Sequence, residues 1–388
     1  MASNATLPGW FDPLESIVST VFMMGSFVTI ILYFMEVLIL VTLRNTVYKG
    51  MFYQIFTVGI IVDVFSLVNN YFGCVFPAKG YVTKQTDQKS TLNIAFFILY
   101  LFFCASFLFF MCQQISYFRY FQDFYLSMGT FVGQMYLMIA WTARGIQGCT
   151  VVALALNRAT AVCLPIKHKQ IWNSKYIWLV HVFQLGIGLC IGTSLITQNF
   201  YWKYERNGIY IQFENQNFRR GFFMSAYVIE TIFVACIMII NVTMVIAFRS
   251  KYKVRLSTQP HLNQKVMSEK QRQEYNLNIV AGLTCVAEIV YYCYVIYVFG
   301  INTSVPTRVF YLLYDVINDI YCGLSGWLLL IYSRSMRAHV TKMMRCPMFG
   351  FRRMRIMIPP EQQFASSTNV ERDKNTSNRR VPTCGTPC

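Results

Sequence analysis

Charge is what this sequence has least of: 13% of its 388 residues are charged and 55% are hydrophobic, roughly half the charged fraction of a soluble domain. That scarcity argues against a soluble fold. Apolar runs of about twenty residues recur along the chain, each long enough to cross roughly 30 Å of hydrocarbon. Among the 13 cysteines there is no CxxC and no Cys/His ligand spacing. Most lie inside apolar runs, where a free thiol acts as a small hydrophobe, so neither a metal site nor a disulfide scaffold is expected. The four histidines, at 168, 181, 261 and 339, are scattered, which argues against hydrolytic or metal-dependent catalysis. The expectation is a protein that is no enzyme and needs no cofactor. The first fourteen residues lack a basic region and a small-residue cleavage site, so the first run is expected to serve as an uncleaved signal anchor.

The net charge of +17 is a matter of topology. The basic residues stand in short clusters between apolar runs, as in cytoplasmic loops, and nucleic acid is not an expected partner. Seven spans follow, at about 17–43, 51–76, 129–164, 176–198, 222–248, 277–299 and 310–332. Arg44, Lys49, Lys167, Lys169, Arg249, Lys251 and Arg334 then fall on one side. The predicted fold is an all-α membrane protein, a seven-transmembrane-helix bundle in the lipid bilayer. The N-terminus (1–16) is expected outside, with Asn4 in a glycosylation sequon, and a disordered cytoplasmic tail is expected over 346–388. Residues 335–345 read as a basic amphipathic helix suited to an anionic inner leaflet, with Cys346 beyond it as a palmitoylation candidate. The receptor domain is placed at 17–345. Its run at 92–112 is apolar enough to span, yet a single extra crossing between two outside ends is impossible. The segment 81–122 therefore reads as an insertion: re-entrant, surface-lying, or translated intron sequence.

Ionisable groups inside a bilayer cost several kcal/mol and usually face the bundle interior. Arg144 stands fourteen residues before Arg158, about 21 Å further out along one helix, with Trp141 and Gln147 on either side. Glu230, Asp315 and Asp319 are its expected anionic partners, with Glu288 nearer mid-membrane. A ligand cavity lined by Trp141, Arg144, Gln147, Glu230, Glu288, Tyr291, Tyr292, Asp315 and Asn318 is one reading; an ion pair that ties helices together is the other. If Arg144 donates to the ligand, Arg144→Gln is expected to weaken responses while surface expression persists. Asp63 is read either as an interhelical hydrogen bond to Asn or Ser or as a switch or ion-binding residue. Arg158 lies between apolar and basic surroundings, with Glu269 and Glu274 the nearest acids in sequence that can meet it.

These residues resemble a known family. Asn157-Arg158-Ala159 with Pro165 and Ile166 resembles the Asp-Arg-Tyr segment of rhodopsin-like receptors. Leu330-Ile331-Tyr332-Ser333 before Arg334 and Arg337 is similar to the end of their seventh helix, and Asp63 to the acid of their second. A closer resemblance is to nematode serpentine chemoreceptors of class V or class gamma in the Srg superfamily. It rests on Phe52-Tyr53, Asp63, Phe76-Pro77, Trp141, Arg144, Gln147, Leu156-Asn157-Arg158, Pro165 and Ile171-Trp172. The resemblance implies a G-protein-coupled chemosensory receptor in the plasma membrane, in sensory cilia. It implies a small-molecule ligand in the outer half of the bundle and a heterotrimeric G protein at the cytoplasmic face, with Asp63, Asn157, Arg158 and Tyr332 in signalling. The chain departs from the rhodopsin-like pattern at Asn157 in place of the acid, at Leu328 or Leu329 in place of proline, and in lacking the outer cysteine pair. The alternative is a secondary transporter of a small solute, which predicts inverted repeats with broken helices; no such halves are found.

Overall fold

A computed structural model of the chain describes residues 9–45, 47–48, 50–75, 129–205, 208–258, 269–297 and 306–345. Asn4, Cys346, the 81–122 segment and the tail from 346 lie outside them. The chain divides into two units, Met1–Met336 and Arg337–Cys388. The first holds helices α1 (Phe11–Thr42), α2 (Met51–Asn70), α3 (Phe131–Cys163), α4 (Pro165–Ile171) and α5 (Ser174–Thr193). A hairpin of strands β1 (Phe200–Glu205) and β2 (Gly208–Phe213) follows, then α6 (Gln216–Thr258), α7 (Glu269–Val295) and α8 (Thr307–Tyr332). The described part of the second unit belongs to α9 (Arg334–Arg345). Six described helices are long and apolar enough to cross a membrane, and Arg308–Tyr332 followed by Arg334–Arg345 makes up to seven.

The helices form because their apolar residues run all the way round, which suits a lipid-facing outer surface and a packed inner one. Trp178, Phe183, Ile239 and Ile246 are exposed, whereas Asp63, Arg144, Glu230 and Glu288 are buried. Punctuation is local. Asn173 caps α5, its side chain accepting from the amides of Lys175 and Tyr176, and Pro165 opens α4 at the position where its missing N–H is harmless. The end of α2 widens into a π-helical turn, Tyr71–Val75. Gly73 lies there so close to the Tyr136 ring that a Cβ would come within 2.1 Å of it.

Two features differ from the sequence reading. The expected first span begins at 17, but α1 starts at Phe11. The stretch after the fourth span, read as a loop, is the β1–β2 hairpin, with Phe200 opposite Phe213 and Trp202 opposite Ile211. The hairpin sits on one end of the bundle. Ile211 fills the notch left by Gly133, Tyr210 stacks on Tyr311 at 4.8 Å, and Trp202 Nε1 donates to the Gly129 carbonyl at 2.9 Å. The other end carries Arg44, Lys167 and Arg334 in its connections, and there Tyr48 Oη lies 3.2 Å from Ser335 Oγ. These are termed the hairpin end and the basic end.

Helix α3 is the hub, and glycine brings α5 against it. A Cβ on Gly192 would stand 1.9 Å from Thr142 Oγ1 and 2.6 Å from the Met138 carbonyl, and one on Gly188 would stand 2.6 Å from the Thr142 carbonyl. This close approach gives the two helices van der Waals contact, which matters in a bilayer because lipid offers no hydrophobic drive between helices.

Candidate functional site

Arg144 lies midway along α3, where water cannot solvate it, and its neighbours supply what water would. Its Nε and Nη2 donate to Glu230 Oε1 and Oε2 on α6 at 2.7 and 2.6 Å. Nη1 reaches Glu288 Oε2 on α7 at 3.4 Å, and Nη2 also donates to Glu288 Oε1. The guanidinium carbon sits 4.0 Å from the ring centroid of Tyr291 and 4.8 Å from that of Tyr321 on α8. One side chain thereby ties α3 to α6, α7 and α8. The paired geometry with Glu230 is the strong kind of carboxylate contact. One cation nonetheless serves two carboxylates, so the cluster carries a formal excess of negative charge.

Small cavities lie beside this cluster. Trp141, Phe223, Ala226, Glu230, Tyr291 and Val295 line one of about 10 Å³. Asp63, Gln147, Thr150, Thr284, Tyr321 and Ser325 help line another of about 30 Å³. Gln147, one turn from Arg144, donates to Asp63 Oδ1 at 2.8 Å and to Cys322 Sγ at 3.3 Å. Asp63 thus takes an interhelical hydrogen bond from a glutamine, where Asn or Ser was the expected donor.

The structure brings together Trp141, Arg144, Glu230, Glu288 and Tyr291, with Gln147 adjoining, and turns four other expected residues elsewhere. Asp315 accepts from Asn70 Nδ2 at 3.1 Å, Asp319 accepts from the Tyr71 hydroxyl, and Asn318 Oδ1 faces Cys322 Sγ at 3.7 Å. Asp315 and Asp319, four residues apart on one helix face, therefore serve α2, and neither is among the acids on Arg144. Tyr292 lies 2.8 Å from Thr231 Oγ1 and stacks on Tyr227. Successive helical residues point about 100° apart, so Tyr291 and Tyr292 cannot both face the guanidinium.

At the basic end Asn157 is fully buried and Arg158 nearly so. Arg158 Nη2 donates to Asn157 Oδ1 at 3.0 Å, and its guanidinium lies 4.4 Å from the Phe52 ring centroid on α2. The side chains of Glu269 and Glu274 lie outside the described residues. Thr160 collects four contacts below: Trp172 Nε1 donates to its hydroxyl at 2.8 Å, the hydroxyl is shared between the Leu156 and Asn157 carbonyls at 2.8 and 3.1 Å, and His168 Nδ1 is 3.2 Å away. These bonds seat α4. Burial, then the charge of Arg158, holds the His168 imidazole below its ordinary pKa. Tyr332 contributes its carbonyl, which accepts from Asn276 Nδ2 on α7 at 2.8 Å.

Sequence reasoning gave no role to two sites. Glu36 is fully buried on α1, and its carboxyl oxygens have no hydrogen-bond partner among the described residues. It is the only acid between 17 and 43, which was the available signal. Arg308, at the hairpin end of α8, pairs with Asp12 at 2.9 Å and with Glu15, tying α8 to the start of α1.

The sequence profile of the serpentine type 7TM GPCR chemoreceptor Srv family matches residues 22–105 and 85–346. The chain belongs to this family. Of the two chemoreceptor classes that the resemblance left open, the match is to Srv. The two matched segments overlap at 85–105, inside the stretch read as an insertion. A comparison with curated proteins finds no match. Membership in Srv makes the seven-span bundle a chemoreceptor fold, and it places the Arg144 cluster inside a receptor.

Proposed function

We propose that this Srv receptor detects a small molecule in the hairpin half of its bundle and activates a heterotrimeric G protein at the basic end. The hairpin half would face outward and the basic end the cytoplasm, in keeping with the positive-inside rule. The observation that carries this reading is Arg144. It holds α3, α6 and α7 through two buried carboxylates, beside a cavity walled by Trp141, Phe223 and Tyr291. A ligand that competes for any of these contacts changes the relative free energy of helix arrangements, which is how binding biases a two-state element. The same helices end at the basic end, so a change in their packing reaches the partner's side.

The basic end has the features of a docking surface. Ile166 on α4 is 88% exposed, the most exposed of the large hydrophobic residues among those described. It lies outside the spans beside Lys167, where lipid does not account for an apolar side chain. Arg158 sits behind it, engaged by Asn157 and Phe52, as a resting contact that a G protein would exchange for its own acceptors. Arg158→Ala is expected to abolish guanine-nucleotide exchange on the G protein while leaving membrane insertion and ligand binding largely intact. Full agonist-stimulated exchange by that variant would remove Arg158 from the coupling role.

A further inference from the structure

Seven acidic or basic side chains are buried among the described residues, and five of them are acids: Glu36, Asp63, Glu230, Glu288 and Asp319, against Arg144 and Arg158. A chain with a net charge of +17 thus has an acidic interior. The imbalance is concrete at the Arg144 cluster, where Glu230 and Glu288 share one guanidinium. On the facing side of the hairpin half, Asp319 Oδ1 and Asn70 Oδ1 are buried acceptors with no donor among the described residues; Asn318 Nδ2 is the one orphan donor near them. Two carboxylates on one guanidinium leave room for a second cation, and one that donates hydrogen bonds is complementary to these groups.

The cavity beside Glu230 has matching walls. Trp141, Phe223 and Tyr291 present aromatic surface to it, with Ala226 and Val295 between. Aromatic faces attract cations within about 6 Å of the ring centroid, and the seating of Arg144 between Tyr291 and Tyr321 uses that attraction already. Arg144 has little left to offer an anion, because its Nε, Nη1 and Nη2 all donate to carboxylates. An anionic ligand entering beside Glu230 would meet negative charge first.

We infer that the ligand is a small organic ammonium, whose cation pairs with Glu230 while its apolar body lies against Trp141 and Phe223. This rests on reading the hairpin half as the ligand site. In the present structure the cavity, at about 10 Å³, has room for about one water. Binding therefore requires Trp141 to leave its edge-on contacts with Phe222 and Phe223, at 5.0 and 5.8 Å. The ammonium then shares Glu230 with Arg144, which keeps Glu288. The bridge from α3 to α6 loosens while that from α3 to α7 holds.

The test uses purified full-length receptor and three probes of one shape and different charge: 2-phenylethylammonium, 2-phenylethanol and 3-phenylpropionate. The ammonium is expected to raise the thermal unfolding midpoint in a saturable way, and the alcohol and the carboxylate are not. Glu230→Gln should weaken the ammonium's affinity roughly tenfold or more. Trp141→Leu, which leaves the Arg144 ion pairs in place, should weaken it too, so the test survives if the glutamate variant does not fold. Stabilisation by the alcohol or the carboxylate without the ammonium overturns the inference, as does a wild-type midpoint that no probe moves. The wider receptor reading fails differently, by the absence of stimulated nucleotide exchange with compounds of every charge class.

Discussion

Removing the guanidinium of Arg144 leaves Glu230 and Glu288 buried with no cation between them. Breaking such a pair by deleting one partner costs about 3–5 kcal/mol, so Arg144→Gln should reduce the amount of folded receptor at the cell surface. This replaces the expectation of normal surface expression, which took Arg144 to be a donor free for the ligand. The triple change Arg144→Gln, Glu230→Gln and Glu288→Gln removes cation and acids together and should restore expression. Surface labelling decides it: equal loss in the single and triple variants would mean that charge balance is not what the cluster supplies. The sequence made the acids legible as a set of four, because height along a helix follows from residue count. It did not say which two face Arg144, because that depends on helix rotation and on competing partners. Asn70 and Tyr71 claim Asp315 and Asp319, and nothing in the order of residues records that.

Close approach is the property that the elements test. Gly192 of α5 meets the Thr142 side chain and the Met138 carbonyl of α3, whereas Gly186, on the same helix, has nothing within 4 Å of an added Cβ. Gly192→Ala should therefore destabilise the receptor, by about 1–3 kcal/mol or more since backbone must move. Gly186→Ala should be neutral or slightly stabilising. Thermal unfolding of the two variants measures the difference, and equal behaviour would contradict the α3–α5 contact. The elements themselves were largely readable. The expected spans at 51–76, 129–164 and 310–332 correspond to α2 with its π-helical turn, α3 and α8 within a few residues, because a long apolar run bounded by charge has one reading; α7 starts eight residues before the expected 277. The hairpin was not read. Phe200-Tyr201-Trp202 and Ile209-Tyr210-Ile211 flank Asn207-Gly208, a strand-and-turn pattern. Its interspersed charges and lack of cysteine made a plain loop the simpler reading. Its anchoring is tertiary: Ile211 depends on Gly133, and Tyr210 on Tyr311.

At the scale of the whole molecule the proposed function has a direction, with recognition at the hairpin end and coupling at the basic end. The clusters at Arg44, Lys167, Arg249 and Arg334 follow the first, third, fifth and last spans, so one orientation puts them all in the cytoplasm. A protease added to the cytoplasmic side should remove the tail and spare the N-terminus; loss of both termini from one side would refute the topology. The proposed activity of the receptor is ligand-dependent catalysis of guanine-nucleotide exchange. The measurement is exchange on a heterotrimeric G protein in membranes carrying the wild-type receptor, with and without compounds from a chemical screen, alongside Trp141→Leu. The account predicts exchange that rises with an active compound in the wild type and needs higher concentrations of it in the variant. Solute flux into receptor-bearing vesicles with no compound-dependent exchange would contradict it and favour a transporter.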